Sequence, residues 1–219
     1  MADAEFWLMT GNSQDAGTSL PWLRILVEQV PAAPQALALL TASCPAAVMH
    51  HSIRVLRYAL VLRDAEHADV DDAVLLHSCL LHDVGASALA VGPERFEVQG
   101  ADLAVALLVS YGWTPEKRAT VWTAIALHTS PHIAERVNAA ARLVRLAVRA
   151  DFGDALIDDD LRQATEGALP RLDIERVLSA VVVEQAAQDE RRAPGGSWPA
   201  ALLSAHRAGS GPDARLAGF

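Results

Sequence analysis

Four side chains of metal-binding type occur in order along the sequence: His51, the adjacent pair His82 and Asp83, and Asp151. Imidazole nitrogens and carboxylate oxygens suit borderline divalent ions. We therefore predict one bound divalent ion, Zn²⁺ in the first place, with Fe²⁺, Mn²⁺ or Ni²⁺ as alternatives. Such a ligand set leaves positions on the ion for a water and a substrate, which is typical of a catalytic site rather than a structural one.

Helical periodicity predicts which of two neighbouring histidines points inward, because residues three or four apart lie on one face of a helix. His51 shares its face with apolar residues such as Val55, whereas His50 shares a face with Arg54 and Arg57. His51 is therefore predicted to point into the core, and His50 toward solvent or the rim of the site.

Asp151 and His128 each stand at the end of an apolar helical stripe. A carboxylate buried alone is strongly unfavourable, so Asp151 needs a partner. Taken singly, an inward histidine is more often a core residue, Asp83 can neutralise a cation and Asp151 can cap a turn. Their joint occurrence at successive helix ends favours a metal site. The stripe that ends at Asp151 consists of Val137, Ala141, Val144 and Val148, and a different face carries Arg142, Arg145 and Arg149.

The other histidines and a run of acidic residues are interpreted structurally. His77 lies on a mixed face and is predicted to be a core residue. His67 and His206 lie among polar or small residues and are predicted to be solvated. The run from Asp158 to Asp160 is typical of a solvated helix start.

Proline, glycine and capping residues divide the chain into helices, and no segment shows the alternation of a β-strand. We predict an all-α fold, a single helical domain that holds the metal site in its core. Gly85 suits the left-handed position after the fourth helix, and Thr114 followed by Pro115 is a strong helix start. The predicted helices cover residues 21–30, 35–42, 46–63, 72–84, 99–111, 115–128, 131–150 and 173–190.

Composition sets the predicted domain boundaries. Residues 1–19 are interpreted as a loose N-terminal arm with an apolar hook at 6–8, and residues 20–191 as the helical catalytic domain. Residues 192–219 are interpreted as a linker and a peripheral tail. Trp198, Leu202 and Leu203 of that tail are expected to dock on the domain or on a second subunit, which keeps a homodimer as one alternative.

The overall composition disfavours several classes of protein. Of 219 residues, 52% are apolar and 21% are charged; the net charge is −9 and Lys117 is the single lysine, which argues against a nucleic-acid partner. Cys44 and Cys79 are interpreted as free thiols in a reducing compartment. Neither a signal peptide nor an apolar run of about 18 residues is visible, so we expect a cytoplasmic location and no membrane partner.

The ordered histidine and aspartate set resembles the H…HD…D signature of the HD superfamily, whose central pair lies here in LHDVG at 81–85. Three further segments resemble the cyanamide hydratase-type branch: HSIRV at 51–55, RFEVQGAD at 95–102 and WTAIALHT at 122–129. The likeness spans residues 46–153. It departs at His50, where that branch often has asparagine, and at Ala86 and Ser87, where it often has threonines.

This resemblance implies an enzyme with a mononuclear metal site that hydrates a small nitrile-type substrate such as cyanamide. Asp83 and His128 are the expected catalytic residues, the first holding the attacking water and the second donating a proton to the developing imidate nitrogen. The implied metal ligands are His51, His82, Asp83 and Asp151. The expected substrate-binding residues are Thr129, Phe96, Glu97 and Arg54.

Three other functions remain as alternatives. An HD-type phosphohydrolase would act on a nucleotide or small phosphoester and need cations near the motifs, for which Arg54 and Arg95 are the candidates. A di-iron oxygenase would need two further bridging histidines, but His128 and His132 are separated by Pro131, which breaks their common face. A non-catalytic sensor of small molecules would keep the metal site without turnover.

Overall fold

The computed structural model describes residues 20–209, and the all-α prediction is confirmed, since none of these residues lies in a β-strand. The predicted arm at 1–19 and the last part of the predicted tail, 210–219, lie outside the described residues. The helices are α1 (Pro21–Gln29), α2 (Ala33–Ser43), α3 (Ala46–Glu66), α4 (Asp72–Leu81), α5 (Phe96–Ser110), α6 (Pro115–Leu127), α7 (Ala134–Val137), α8 (Ala139–Asp151), α9 (Asp159–Ala168), α10 (Ile174–Gln188) and α11 (Trp198–Arg207), with a 3₁₀ turn at Glu190–Arg192.

Side-chain caps set the starts of several helices, as their sequences indicate. Asp71 accepts hydrogen bonds from the first backbone N–H groups of α4, and Thr114 accepts one from Lys117 N at the start of α6. Asp158 caps α9 in the same way, so the acidic run at this point is the predicted helix start. A capping oxygen satisfies backbone donors that have no partner within the helix.

Helix α3 lies at the centre of the fold, against α4, α8 and α10. On its inward face, His51, Val55 and Tyr58 have no exposed surface, so the face predicted from their spacing is the buried one. The large apolar cluster around α3 includes Leu81, whereas Phe96 belongs to a smaller cluster that α10 and α11 complete. The C-terminal end of α4 and the N-terminal end of α5 therefore meet where the two apolar clusters adjoin.

The single helix predicted over 131–150 is wrong, because two helices occupy this segment. Asn138 has an extended backbone between α7 and α8, and its side chain accepts a hydrogen bond from Ala141 N at 2.8 Å. The break leaves Val137 47% exposed, so it does not belong to the buried stripe. The rest of that stripe, from Ala141 to Asp151, is buried as expected.

The left-handed conformation predicted for Gly85 is also wrong. Helix α4 ends at Leu81, and Gly85 does not have a positive φ. A Cβ atom at this position would instead lie 1.8 Å from Phe96 O and 2.8 Å from Gly100 N. The glycine is required because the turn after α4 approaches the backbone of α5 too closely for any side chain.

Helix α11 lies against the helical domain. Ser197 caps it, and the side chains of Trp198, Leu202 and Leu203 are buried in the smaller apolar cluster. The Trp198 ring lies 5.8 Å from the Phe96 ring, centroid to centroid. This helix therefore supports the N-terminal end of α5.

The thiols of Cys44 and Cys79 are both free, as predicted, and Cys79 is fully buried. Burial raises the pKa of Cys44 to about 11, so this thiol is not reactive near neutral pH. No helix within residues 20–209 has both the length and the apolar character needed to cross a membrane.

Candidate metal centre

Four helices deliver histidine and aspartate side chains to one buried point of the fold. His51 lies within α3, while His82 and Asp83 directly follow α4. His128 directly follows α6, and Asp151 is the last residue of α8. Each of these five residues is at most 1% exposed, so their charges and lone pairs must be satisfied within the protein.

His51, His82 and Asp83 form a compact cluster. His51 Nε2 and His82 Nε2 are 3.1 Å apart, and Asp83 Oδ2 lies 3.5 Å from the first and 3.3 Å from the second. Ligand atoms bonded to one ion at about 2.1 Å are roughly 3.0–3.4 Å apart in octahedral or tetrahedral geometry. The cluster therefore has the dimensions of one divalent-metal site.

Hydrogen bonds to the opposite ring nitrogens fix the tautomers of the histidines. Each Nδ1 lies within hydrogen-bond distance of an oxygen that can only accept, so Nδ1 carries the proton and Nε2 presents its lone pair. This leaves Nε2 as the donor atom for a metal. The contacts are His51 Nδ1 to Asp151 Oδ2 (2.7 Å), His82 Nδ1 to Cys79 O (2.8 Å) and His128 Nδ1 to Ile125 O (2.7 Å).

The carboxylate of Asp83 shows that a cation fits here. Both of its oxygens are buried, and neither accepts a hydrogen bond from any described residue. Oδ2 faces the two Nε2 atoms already described, and Oδ1 lies 3.4 Å from His128 Nε2. An anion surrounded by imidazole lone pairs is unfavourable unless positive charge lies between them, and a divalent metal ion supplies that charge.

The pKa shifts of the cluster indicate the same need for positive charge. Burial alone would raise the pKa of Asp83, but His82 and His128 hold it well below its usual range. Burial alone would lower the pKa of His82, yet the charge of Asp83 raises it. The pKa of His51 is lowered, because burial outweighs its contact with Asp151.

Asp151 lies on the other side of the His51 ring. Its Oδ2 contacts His51 Nδ1, and both of its oxygens accept hydrogen bonds from Arg54, at 2.7 Å from Nε and 2.8 Å from Nη2. Burial alone would raise the pKa of Asp151, but these donors lower it. The structure brings three of the four predicted ligands together and places the fourth behind one of them, while the metal-ligand assignment itself stays a prediction.

Comparison with known families supports the sequence signature. The family model described as HD domain matches residues 48–156, a range that includes every predicted metal ligand. This chain contains an HD domain and belongs to the HD superfamily. HD domains are in general metal-dependent hydrolases, and the buried His-His-Asp cluster fits a divalent metal ion. Comparison with curated proteins finds no match.

Arg54 occupies a different environment in the HD domain from the one expected of it. The sequence placed it on a charged helix face beside His50, but its side chain has no exposed surface. Its Nη1 donates to the backbone oxygens of Leu169 and Pro170, while Asp151 supplies the opposite charge. Helical periodicity misplaced Arg54 because its partner comes from another helix, which the local pattern does not contain. His50 lies at the rim, as predicted, with Nδ1 2.9 Å from Pro170 O.

The predicted substrate-binding residues Phe96, Glu97 and Thr129 lie together near His128. The Phe96 ring is 5.7 Å from the His128 ring, edge to face. Thr129 Oγ1 donates to Glu97 Oε1 and accepts a hydrogen bond from Arg95 Nη2 at 2.8 Å. Arg95 also donates to both oxygens of Glu97, at 2.7 and 3.0 Å. These residues form a charge-paired wall of the HD domain, and their substrate-binding role stays a prediction.

Two further residues at the HD site were not singled out from the sequence. The Phe152 ring lies 5.0 Å from the His51 ring, and Arg171 Nη1 donates to Asp151 O at 2.6 Å. Phe152 directly follows Asp151 in the sequence, so its position next to the site could have been predicted. The position of Arg171 could not, because this residue reaches the site only through the packing of α10 against α3.

Arg145 and His132 both lie near His128, but the first is buried and the second is exposed. The sequence placed Arg145 on a different face of the helix from the apolar stripe, but its side chain is also buried and donates to Glu135 Oε1 and to His128 O at 3.0 Å. It therefore helps to hold the backbone turn that carries His128. His132 is exposed and has a positive φ of 64°, so it points to solvent instead of joining the buried cluster.

Proposed function

We propose that this HD-domain protein uses a divalent metal ion to add water to a small, uncharged nitrile-type substrate. The observation that carries the proposal is the pairing of the arginines next to the site. Arg54 is bound by Asp151, and Arg95 is bound by Glu97. A phosphate-binding pocket needs guanidinium or ammonium groups that remain available for the phosphate oxygens. Both candidates for that role already have a buried carboxylate partner, which favours a neutral substrate.

The burial of the site supports a small substrate. The predicted ligands and His128 are at most 1% exposed, and Thr129 is 3% exposed. A nucleotide would have to displace much of this wall, whereas a short linear molecule needs only a small opening. Enclosure of this kind also strengthens electrostatic interactions with the reacting atoms, because water is excluded.

The side chains support addition of water to a C≡N bond. A divalent ion held by His51, His82 and Asp83 would lower the pKa of a coordinated water. As the new C–O bond forms, one electron pair of the C≡N bond moves to nitrogen. His128 Nε2, which carries the free lone pair, takes a proton from the water and passes it to that nitrogen. Transfer of the remaining hydroxyl proton to nitrogen converts the imidate to an amide, or to urea when the substrate is cyanamide.

The three sequence segments that resemble the cyanamide hydratase-type branch meet at this site. The first contributes His51, the second Phe96 and Glu97, and the third His128 and Thr129. The Thr129 hydroxyl donates to Glu97 and accepts a hydrogen bond from Arg95, so it holds the second segment against the third beside His128.

The test compares two reaction classes with the same metal-loaded protein. The protein is loaded separately with Zn²⁺, Fe²⁺, Mn²⁺ and Ni²⁺ and incubated with cyanamide and small nitriles, or with nucleotides and simple phosphoesters. We expect amide or urea to form, detected by ¹³C NMR with labelled nitrile, and no phosphate to be released. Release of phosphate without nitrile hydration would establish the phosphohydrolase alternative. Metal binding with neither reaction would favour a sensor.

A further inference from the structure

Asp151 and Arg54 form a buried pair behind His51. From its geometry we propose that this pair positions His51, and that Asp151 does not itself bind the metal. The inference rests on the proposed metal-dependent function, because it concerns how the same site holds its ion. It changes the ligand set that the resemblance implies, and it assigns a positioning role to Arg54, which the sequence had placed among the substrate-binding residues.

The first argument is that the oxygens of Asp151 are already occupied. Oδ1 accepts from Arg54 Nε at 2.7 Å, and Oδ2 accepts from Arg54 Nη2 at 2.8 Å and from His51 Nδ1 at 2.7 Å. Arg171 adds a second guanidinium, with Nη1 3.7 Å from Oδ2. A carboxylate with these partners has little negative charge left to offer a metal ion.

The second argument comes from the shape of the imidazole ring. The two ring nitrogens of His51 point in diverging directions, and Nε2 is the one that faces His82 and Asp83. An oxygen hydrogen-bonded to Nδ1 therefore cannot also bind an ion held by Nε2. Asp83 is in the opposite situation, since both of its oxygens face imidazole Nε2 atoms.

The third argument is that Arg54 cannot follow Asp151 if Asp151 moves. Arg54 has no exposed surface, and its remaining nitrogen donates to Leu169 O at 3.0 Å and Pro170 O at 3.3 Å. A movement of Asp151 toward the metal would leave a buried guanidinium without its carboxylate, which is strongly unfavourable.

The pair has a clear consequence for His51. A carboxylate on Nδ1–H fixes the tautomer and orientation of a ligating histidine and makes its other nitrogen a stronger donor. Arg54 in turn holds that carboxylate in one orientation through two parallel hydrogen bonds. The pair acts on the metal through His51 alone.

Zinc affinity is the first test, with Zn²⁺ itself as the probe in competition with a chromophoric chelator. Asp151→Asn and the double variant Arg54→Gln with Asp151→Asn are compared with Asp83→Asn. The double variant removes both charges, so no unpaired buried ion disturbs folding. We expect both Asp151 variants to bind one zinc per chain with a Kd raised about 10–100-fold, and Asp83→Asn to lose zinc. Arg142→Gln, an exposed arginine of α8 paired with Glu66, should leave the Kd unchanged. Loss of zinc from the Asp151 variants to the same degree as from Asp83→Asn would overturn the inference.

A second measurement does not depend on any variant being folded. In ¹⁵N-labelled, zinc-loaded wild-type protein, the His51 Nδ1 proton should remain bound to its nitrogen and resonate at unusually low field, because it is hydrogen-bonded to a carboxylate. Absence of this proton, or a zinc-loaded crystal structure with Asp151 bonded to the ion, would contradict the inference while leaving the proposed function intact. Failure of the wild-type protein to bind zinc or another divalent ion would instead contradict the proposed function.

Discussion

The two sides of the His51 ring bury a carboxylate in contrasting ways. On the Nδ1 side, Asp151 accepts hydrogen bonds from Arg54 and His51, and every charge has a partner within the chain. On the Nε2 side, neither oxygen of Asp83 accepts a hydrogen bond from a described residue, and imidazole nitrogens lie 3.3–3.5 Å away.

The difference separates a carboxylate that is neutralised within the chain from one that has no hydrogen-bond partner among the described residues. A buried anion is tolerated when a buried cation neutralises it, as Arg54 does for Asp151. Burial of Asp83 without such a partner is strongly unfavourable, which agrees with the fit of the His-His-Asp cluster to a divalent ion. Two aspartates of equal burial that contact the same histidine thus lie in opposite electrostatic environments.

The largest effect is expected from removal of ligands on the Nε2 side. His82→Ala or Asp83→Ala should abolish metal binding and activity, because each removes one of three donor atoms. The loss also lowers stability, since metal binding to the native state alone adds to the free energy of unfolding. Metal analysis of the dialysed proteins provides the measurement, with His50→Ala as the control. If His50→Ala loses metal while His51→Ala keeps it, the assignment of the inward histidine is wrong.

A smaller effect is expected at His128, which faces Asp83 Oδ1 but is not needed to complete the cluster. His128→Ala should keep one metal per chain and lose about 10²–10⁴-fold in turnover, the usual range for a general acid or base. Metal content and kcat, measured on the same samples, distinguish a role in proton transfer from a role as a metal ligand. A fall in metal content from two ions to one would instead make His128 a ligand of a second ion.

The turn that carries His82 and Asp83 can be tested through Gly85. Gly85→Ala would place a Cβ 1.8 Å from Phe96 O, which is a backbone atom and cannot rotate away. We expect destabilisation at or above the about 1–3 kcal/mol typical of overpacking, measured by urea unfolding, and weaker zinc binding. Gly167→Ala is the matched control, because nothing lies within 4 Å of its added Cβ and alanine favours the helix. Equal stability of the two variants would show that the close approach to α5 does not limit the fold.

Acid should reduce the stability that the ionised Asp151 carboxylate contributes on the Nδ1 side of His51. Hydrogen bonds from Arg54 and His51 outweigh burial and lower the pKa of Asp151 in the folded protein. The resulting stabilisation is therefore present above the unfolded value of about 3.9 and is lost as the pH falls through the lower folded value. With metal removed by a chelator, wild type should exceed Asp151→Asn in unfolding free energy near neutral pH, because the variant removes the carboxylate that pairs with Arg54. This difference should shrink below about pH 4, and a constant difference would contradict the assigned cause.

Local sequence determined where several of the helices begin. Capping side chains act on backbone groups two or three residues away, so Asp71, Thr114 and Asp158 specify their helix starts without help from the rest of the chain. Asn138 caps α8 in the same way, so its side chain could have predicted the break before this helix. The apolar stripe that continues across the break favoured one helix instead.

The spacing of apolar residues also determined which histidine faces the core. His51 is buried on the predicted face of α3, because three- and four-residue spacing acts within one helix. The types and order of His51, His82 and Asp83 were sufficient to indicate a buried cluster that fits a divalent ion.

Only the tertiary structure decided what each charged residue does. Arg54 and Arg145 lie on faces that the sequence marks as charged, yet both are buried because carboxylates from other helices meet them. Asp151 stands on the predicted face, but α3 presents Arg54 and the Nδ1 atom of His51 to it. Helical periodicity gives the direction of a side chain from its own helix axis. The partner found in that direction depends on how helices distant in sequence pack, and that information is not local.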